Sequence, residues 1–138
     1  MKIEVLNHPD KQIFEQLVDG VRSYNFEHMG DETASALAVI SRDESGRIVG
    51  GVSGRTIYKQ FLIEVAWVSQ EFRGSGLGQS LMQRAEAEAK TRGCLAAQVD
   101  TLSFQAPGFY QKLGFEIVGK VTGVENSPDR FFLAKWYQ

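Results

Sequence analysis

Residues 62–78 read Leu62-Ile63-Glu64-Val65-Ala66-Trp67-Val68, then Ser69-Gln70-Glu71-Phe72-Arg73, then Gly74-Ser75-Gly76-Leu77-Gly78. The first seven residues, apolar apart from Glu64, predict a strand. The next five predict a loop, and the last five the glycine-rich opening of a helix. Strand, loop and helix start in that order make an anion-binding geometry. Glycines let backbone N–H groups approach a phosphate, and the first helical turn offers unpaired donors at the positive end of its dipole. A pyrophosphate is the natural guest.

Spacing separates the phosphate-binding patterns that compete for this loop. A dinucleotide fingerprint needs glycine where Gln79 stands. A P-loop needs lysine at that same position and glycine in place of Arg73. Neither fits.

Working outward, residues 2–6 alternate Ile3 and Val5 with Lys2 and Glu4, which predicts a short first strand. A helix is expected from Lys11 to about Phe26, with Phe14, Leu17, Val18 and Val21 on one stripe and a polar loop after it. Alternation then predicts strands at 35–42, 47–57 and 61–68, the first two joined by the hairpin turn Asp43-Glu44-Ser45-Gly46. The helix opened by the glycine loop should run to Arg92, burying Leu77, Leu81, Met82, Ala85 and Ala89, with Gly93 to end it. Strands at 95–102, 115–121 and 131–137 and a short helix at 106–113 complete the chain. The order predicts a mixed α/β fold rather than a doubly wound one.

The spacing Arg73-x-x-Gly76-x-Gly78 meets the pattern Gln/Arg-x-x-Gly-x-Gly/Ala, and residues 106–115 read Ala106-Pro107-Gly108-Phe109-Tyr110-Gln111-Lys112-Leu113-Gly114-Phe115. On these two segments and the order of elements, the chain resembles the GCN5-related N-acetyltransferase (GNAT) family over nearly its whole length. The resemblance is weakest at residues 7–36. It implies the acyl-CoA N-acyltransferase fold. That fold is one domain over residues 1–138, with a central, mostly antiparallel sheet of about six to seven strands, one splayed parallel pair, and helices on both faces. It further implies that residues Arg73, Gly74, Ser75, Gly76, Leu77, Gly78 and Gln79 wrap the pyrophosphate of acetyl-CoA, and that the pantetheine arm lies along the edge of strand 62–68 like an added strand. A bulge is expected at residues 66–68, with a backbone N–H near Val68 facing the thioester oxygen. The cofactor assignment extends to Lys112, and to Ser103 where many relatives carry an asparagine.

Two side chains are singled out for chemistry. Tyr110 is expected to give a proton or hydrogen bond to the departing thiolate, since a phenol with pKa about 10 stays protonated at neutral pH. The competing reading is a core aromatic. An alkylamine of pKa about 10.4 is neutral in only about four molecules per ten thousand at pH 7, so a base is needed. Glu64, a carboxylate inside an apolar strand, is that candidate; the alternative is that it points to solvent or pairs with Lys59 or Arg55. Tyr24, Asn25, Glu27 and Trp67 are candidates for the acceptor pocket. Cys94 has no histidine near it in the pattern, so direct transfer in a ternary complex is expected.

Composition narrows the rest. One core is expected from 138 residues with 43% hydrophobic and 23% charged residues. A net charge of −2, one cysteine and two histidines argue against nucleic-acid partners, disulfides and zinc. No stretch has signal-peptide or membrane-span character, so a cytoplasmic protein with no membrane partner is expected. The expected reaction is acetyl transfer from acetyl-CoA to a primary amine of a small molecule, without a metal. A CoA-binding sensor without turnover and an enzyme acting on a protein lysine or N-terminus are the alternatives. A homodimer is conceivable on the resemblance.

Overall fold

Asp43 turns the chain where the sequence asks for a turn. Its Oδ1 accepts from the Ser45 N–H (2.9 Å), the Ser45 hydroxyl (2.7 Å) and the Arg47 N–H (3.0 Å). The Ser45 hydroxyl and then the Arg47 N–H hold this carboxyl below the usual carboxylate range. The turn joins β1 (Ser35–Arg42) to β2 (Ile48–Ile57). Between β2 and β3 (Gln60–Val68) the two-residue turn is Tyr58-Lys59, both at positive φ (53° and 62°). That is the hairpin geometry whose twist matches the flanking strands, taken here without glycine.

The computed structural model describes residues 1–138, which form two compact units, Met1–Thr33 and Ala34–Gln138, each taken by itself below. In the first, α1 (Lys11–Met29) is capped by the Asp10 carboxylate, which accepts from the Ile13 N–H at 3.1 Å, and is ended by Gly30 at φ 79°. Two expectations change here. Residues 2–6 form no strand. The helix reaches Met29 rather than ending near Phe26, so Glu27 and His28 are helical rather than part of a loop, and the Tyr24 and His28 rings pack at 4.6 Å as i, i+4 neighbours.

The second unit is a six-stranded sheet in the order β1-β2-β3-β4-β6-β5, with β4 (Ala96–Leu102), β5 (Glu116–Val121) and β6 (Arg130–Trp136). Every neighbouring pair is antiparallel except β3 and β4, as the fold class requires. The parallel ladder holds only Gln60 with Ala96, Phe61 with Ala97, and Leu62 with Gln98. Beyond Leu62 and Gln98 the two strands part.

One face of the sheet carries Leu37, Val52, Phe61, Ile63, Ala97, Val99 and Leu133, and α2 (Leu77–Thr91) covers it with Leu81, Met82, Ala85 and Ala89. Phe61, Met82 and Leu133 are fully buried at the centre. At the end of α2 the Cys94 N–H bonds the Ala89 carbonyl (2.9 Å) and Gly93 takes φ 90°. The sequence pattern did not single out Glu86. It is buried on the same helix and meets the Lys135 ammonium at 3.0 Å, while that ammonium also donates to the Leu113 carbonyl at 2.7 Å. Lys135 thereby ties α2 to the end of α3 (Pro107–Lys112).

The register of β2 against β3 shifts between Ser53 with Val65 and Gly54 with Ile63, which leaves Glu64 as the extra residue. The bulge therefore sits at Glu64, not at 66–68 as expected. Gly54 explains its place: a Cβ there would lie 2.1 Å from the Leu62 carbonyl oxygen, so only glycine lets β3 close in at this point.

Candidate active site

Where β3 and β4 separate, a cleft of about 1000 Å³ opens, walled by β3 and the glycine loop on one side and by β4, its following loop and α3 on the other. Glu64, Trp67, Val68, Asp100, Phe104 and Tyr110 are among its lining residues. Past Leu62, the edge of β3 that faces β4 has no strand partner. Backbone donors and acceptors on such an edge can pair with an extended amide ligand.

The glycine loop is built by turns. Arg73 N–H bonds the Gln70 carbonyl and Ser75 N–H the Phe72 carbonyl, each at 3.3 Å, and the Ser75 hydroxyl also turns to the Phe72 carbonyl. Gly74 and Gly76 take φ 78° and 87°, which L side chains rarely adopt. Ser80 is the first residue of α2 to bond back within it, to Gly76 at 3.1 Å. The N–H groups of Leu77, Gly78 and Gln79 are accordingly the orphan donors of this helix start. No atom stands within 4 Å of where a Cβ on Gly74 or Gly76 would be, so the loop surface is bare backbone. Gly78 has a different reason: its Cβ would come within 3.3 Å of the Phe109 ring, so glycine lets α2 and α3 approach. Arg73 folds back, its Nε donating to the Val68 carbonyl at 3.0 Å.

On the opposite wall Tyr110 is buried among Phe109 (ring centroids 5.2 Å) and Phe115 (5.8 Å), yet it lines the cleft. It is a core aromatic and a cleft residue at once. Burial, and secondly the negative charge of Asp100, raise its phenol above the usual tyrosine range. Gln105 fastens the loop beside it: Oε1 accepts from the Leu102 N–H (2.8 Å) and the Thr101 hydroxyl (3.2 Å). Glu64 pairs with Arg55 at 2.6 Å, both side chains half exposed, so the arginine alternative is realised, and Glu64 is also one of the residues lining the cleft.

The structure thus gathers Glu64, Trp67, Val68, Arg73, Gly74, Gly76, Gly78, Gln79 and Tyr110 around one opening. Leu77 and Ser75 belong to the same loop but do not line it, and neither do Ser103 and Lys112, both exposed. Tyr24, Asn25 and Glu27 lie in the other unit. One carboxylate of the cleft was not anticipated. Asp100, in β4, lines the cleft and forms a close ion pair with Arg130 of β6. A carboxylate inside an otherwise largely apolar strand, the signal that marked Glu64, was present at Asp100 too.

The chain matches the acetyltransferase (GNAT) family model over residues 4–115 and belongs to that family. It is 40% identical over 79 residues to the blasticidin-S acetyltransferase of Streptomyces morookaense, an alignment that spans 56% of this chain and 58% of that relative. A crystal structure from Agrobacterium tumefaciens, of a protein assigned as an acetyltransferase, superposes with a TM-score of 0.92 at 25% identity over 99% of this chain and 100% of that one. A Bacillus anthracis protein assigned as a streptothricin acetyltransferase, solved in complex with acetyl coenzyme A, shares the fold with a TM-score of 0.66 at 19% identity, over 82% of this chain and 68% of that one. No helix is long and apolar enough to cross a membrane.

Proposed function

We propose that this acetyltransferase passes the acetyl group of acetyl-CoA directly to a primary amine of a small molecule. The observation that carries the reading is the junction of three features in one cleft: a bare glycine loop at a helix start, a strand edge left unpaired by the splay, and a buried phenol across from both. The relative named as a blasticidin-S acetyltransferase supports the choice of a small-molecule acceptor.

Acetyl-CoA, when bound, supplies an activated acyl thioester and a sulfur leaving group. The Leu77, Gly78 and Gln79 N–H groups hold its pyrophosphate by dipole and hydrogen bonds without any lysine. The free edge of β3 would pair with the amides of its arm, and a backbone N–H near Val68 would serve the thioester oxygen. Tyr110 keeps its proton throughout neutral pH because burial and Asp100 disfavour the phenolate, so it can donate to the departing sulfur. Glu64, the bulged residue, accepts a proton from the incoming ammonium, which makes the amine a nucleophile. Ser103 and Lys112, outside the cleft wall, could serve only the outer part of the cofactor.

A thiol-release assay with acetyl-CoA and a panel of polyamines, amino acids, aminoglycosides and lysine peptides tests this. Turnover with one or more small amines is expected. Turnover with the peptides alone would assign a protein substrate, and acetyl-CoA binding without thiol release would assign a sensor.

A further inference from the structure

Asp100 and Glu64 occupy matching places on the two lips of the splay. The parallel ladder ends at Leu62 and Gln98, and each carboxylate lies two residues beyond that last pair on its own strand. Both line the same cleft. They differ in what stands beside them, since of the charged groups nearby it is Asp100 whose field reaches the Tyr110 phenol. Asp100 is therefore the carboxylate next to the chemistry on the side where a leaving group would be protonated.

Its position is fixed from three directions. Arg130, on the neighbouring β6, engages Oδ2. Thr101, the next residue, is buried and bonded to Gln105, which also takes the Leu102 N–H. The Ser103 N–H bonds the carbonyl of Asp129 at 2.8 Å, which ties the β4–α3 loop to the residue before Arg130. A half-exposed cross-strand ion pair contributes little to stability, so this bracing does not explain itself as a support for the fold. Its effect is to hold one carboxylate still at the mouth of a reaction cleft, with Oδ2 engaged by the arginine.

We propose that Asp100, braced by Arg130, is a specificity-determining residue that receives the acceptor as an ammonium, so that the enzyme selects amines that are cations at neutral pH. The inference rests on the acetyl-transfer reading above. Asp100 binds the ammonium on the β4 lip while Glu64 on the β3 lip takes its proton. Arg130 keeps its hold on Oδ2, and Oδ1 is the oxygen that meets the incoming cation.

The experiment compares the wild-type chain with Asp100→Asn and Asp100→Glu, using thiol release from acetyl-CoA with alkylamines and with aniline, which is neutral at pH 7. The expected result is a KM for the alkylamine raised about tenfold to a hundredfold in Asp100→Asn, as loss of a charge-assisted hydrogen bond dictates, with kcat changed less than threefold. Asp100→Glu recovers most of that loss, and the KM for acetyl-CoA stays within twofold in both variants. Alkylamine KM within twofold of wild type in Asp100→Asn, preference of the wild type for aniline, or an equal loss of acetyl-CoA affinity would each overturn the proposal and leave acetyl transfer standing. Absence of thiol release by the wild type with every amine would overturn acetyl transfer itself, and this inference with it.

Discussion

The two walls of the cleft are built on opposite principles. On the wall made by β3 and the start of α2, the working groups are backbone: an unpaired strand edge and the N–H groups of Leu77, Gly78 and Gln79, exposed because Gly74 and Gly76 carry no side chains. On the wall made by β4 and α3, the working groups are side chains held by other side chains: Tyr110 between two phenylalanines, Asp100 on Arg130, and the loop on Gln105. A cofactor arm of fixed chemistry suits the first wall. An acceptor that must be told from other amines suits the second.

If that contrast is right, damage to the side-chain wall is felt most. Lys135→Met leaves the buried Glu86 carboxylate without its cation and frees the Leu113 carbonyl at the end of α3. A loss of about 3–5 kcal/mol is expected by denaturant unfolding. Tyr110→Phe keeps the ring packing and removes the proton, so kcat should fall about a hundredfold with acetyl-CoA affinity unchanged; an unchanged kcat removes Tyr110 from the chemistry. The same phenol sets a pH limit. Because its pKa is raised, the proton is kept to higher pH than in a free tyrosine, and the alkaline limb of kcat should lie above pH 10. In Asp100→Asn one cause of the shift is gone and the limb should move to lower pH.

The backbone wall should answer differently, to shape rather than to side-chain chemistry. Gly76→Ala forces an L side chain into φ 87° at a strain of about 1–2 kcal/mol, and acetyl-CoA affinity measured by calorimetry should drop roughly tenfold. Gln79→Ala, which keeps the N–H and loses only the amide, should leave that affinity within about twofold. A larger loss would mean that the side chain of Gln79, and not the helix start, holds the ligand.

The same contrast governs what could be read in advance. The backbone wall was legible because its signals are local: an apolar run, a polar loop and glycines at fixed offsets specify strand, turn and helix start within 17 residues, 62–78. Most strand bounds in the second unit fell within one residue of expectation for the same reason. What escaped depended on partners distant in sequence. The bulge lies at Glu64 because Gly54, on the facing strand, admits the close approach of Leu62. Asp100 acquires its place from Arg130, 30 residues on, and Glu86 is buried because Lys135 meets it. Residues 2–6 fail for the converse reason: Ile3 and Val5 alternate, but alternation names a face and not a neighbour, and no ladder forms there.

Titration calorimetry of acetyl-CoA into the intact protein tests the central claim most directly, since it asks whether the bare loop and the unpaired β3 edge make one cofactor site. One acetyl-CoA bound per chain, with affinity lost in Gly76→Ala and kept in Tyr110→Phe, is the predicted result. No binding at millimolar acetyl-CoA, or affinity lost in Tyr110→Phe and kept in Gly76→Ala, would contradict it.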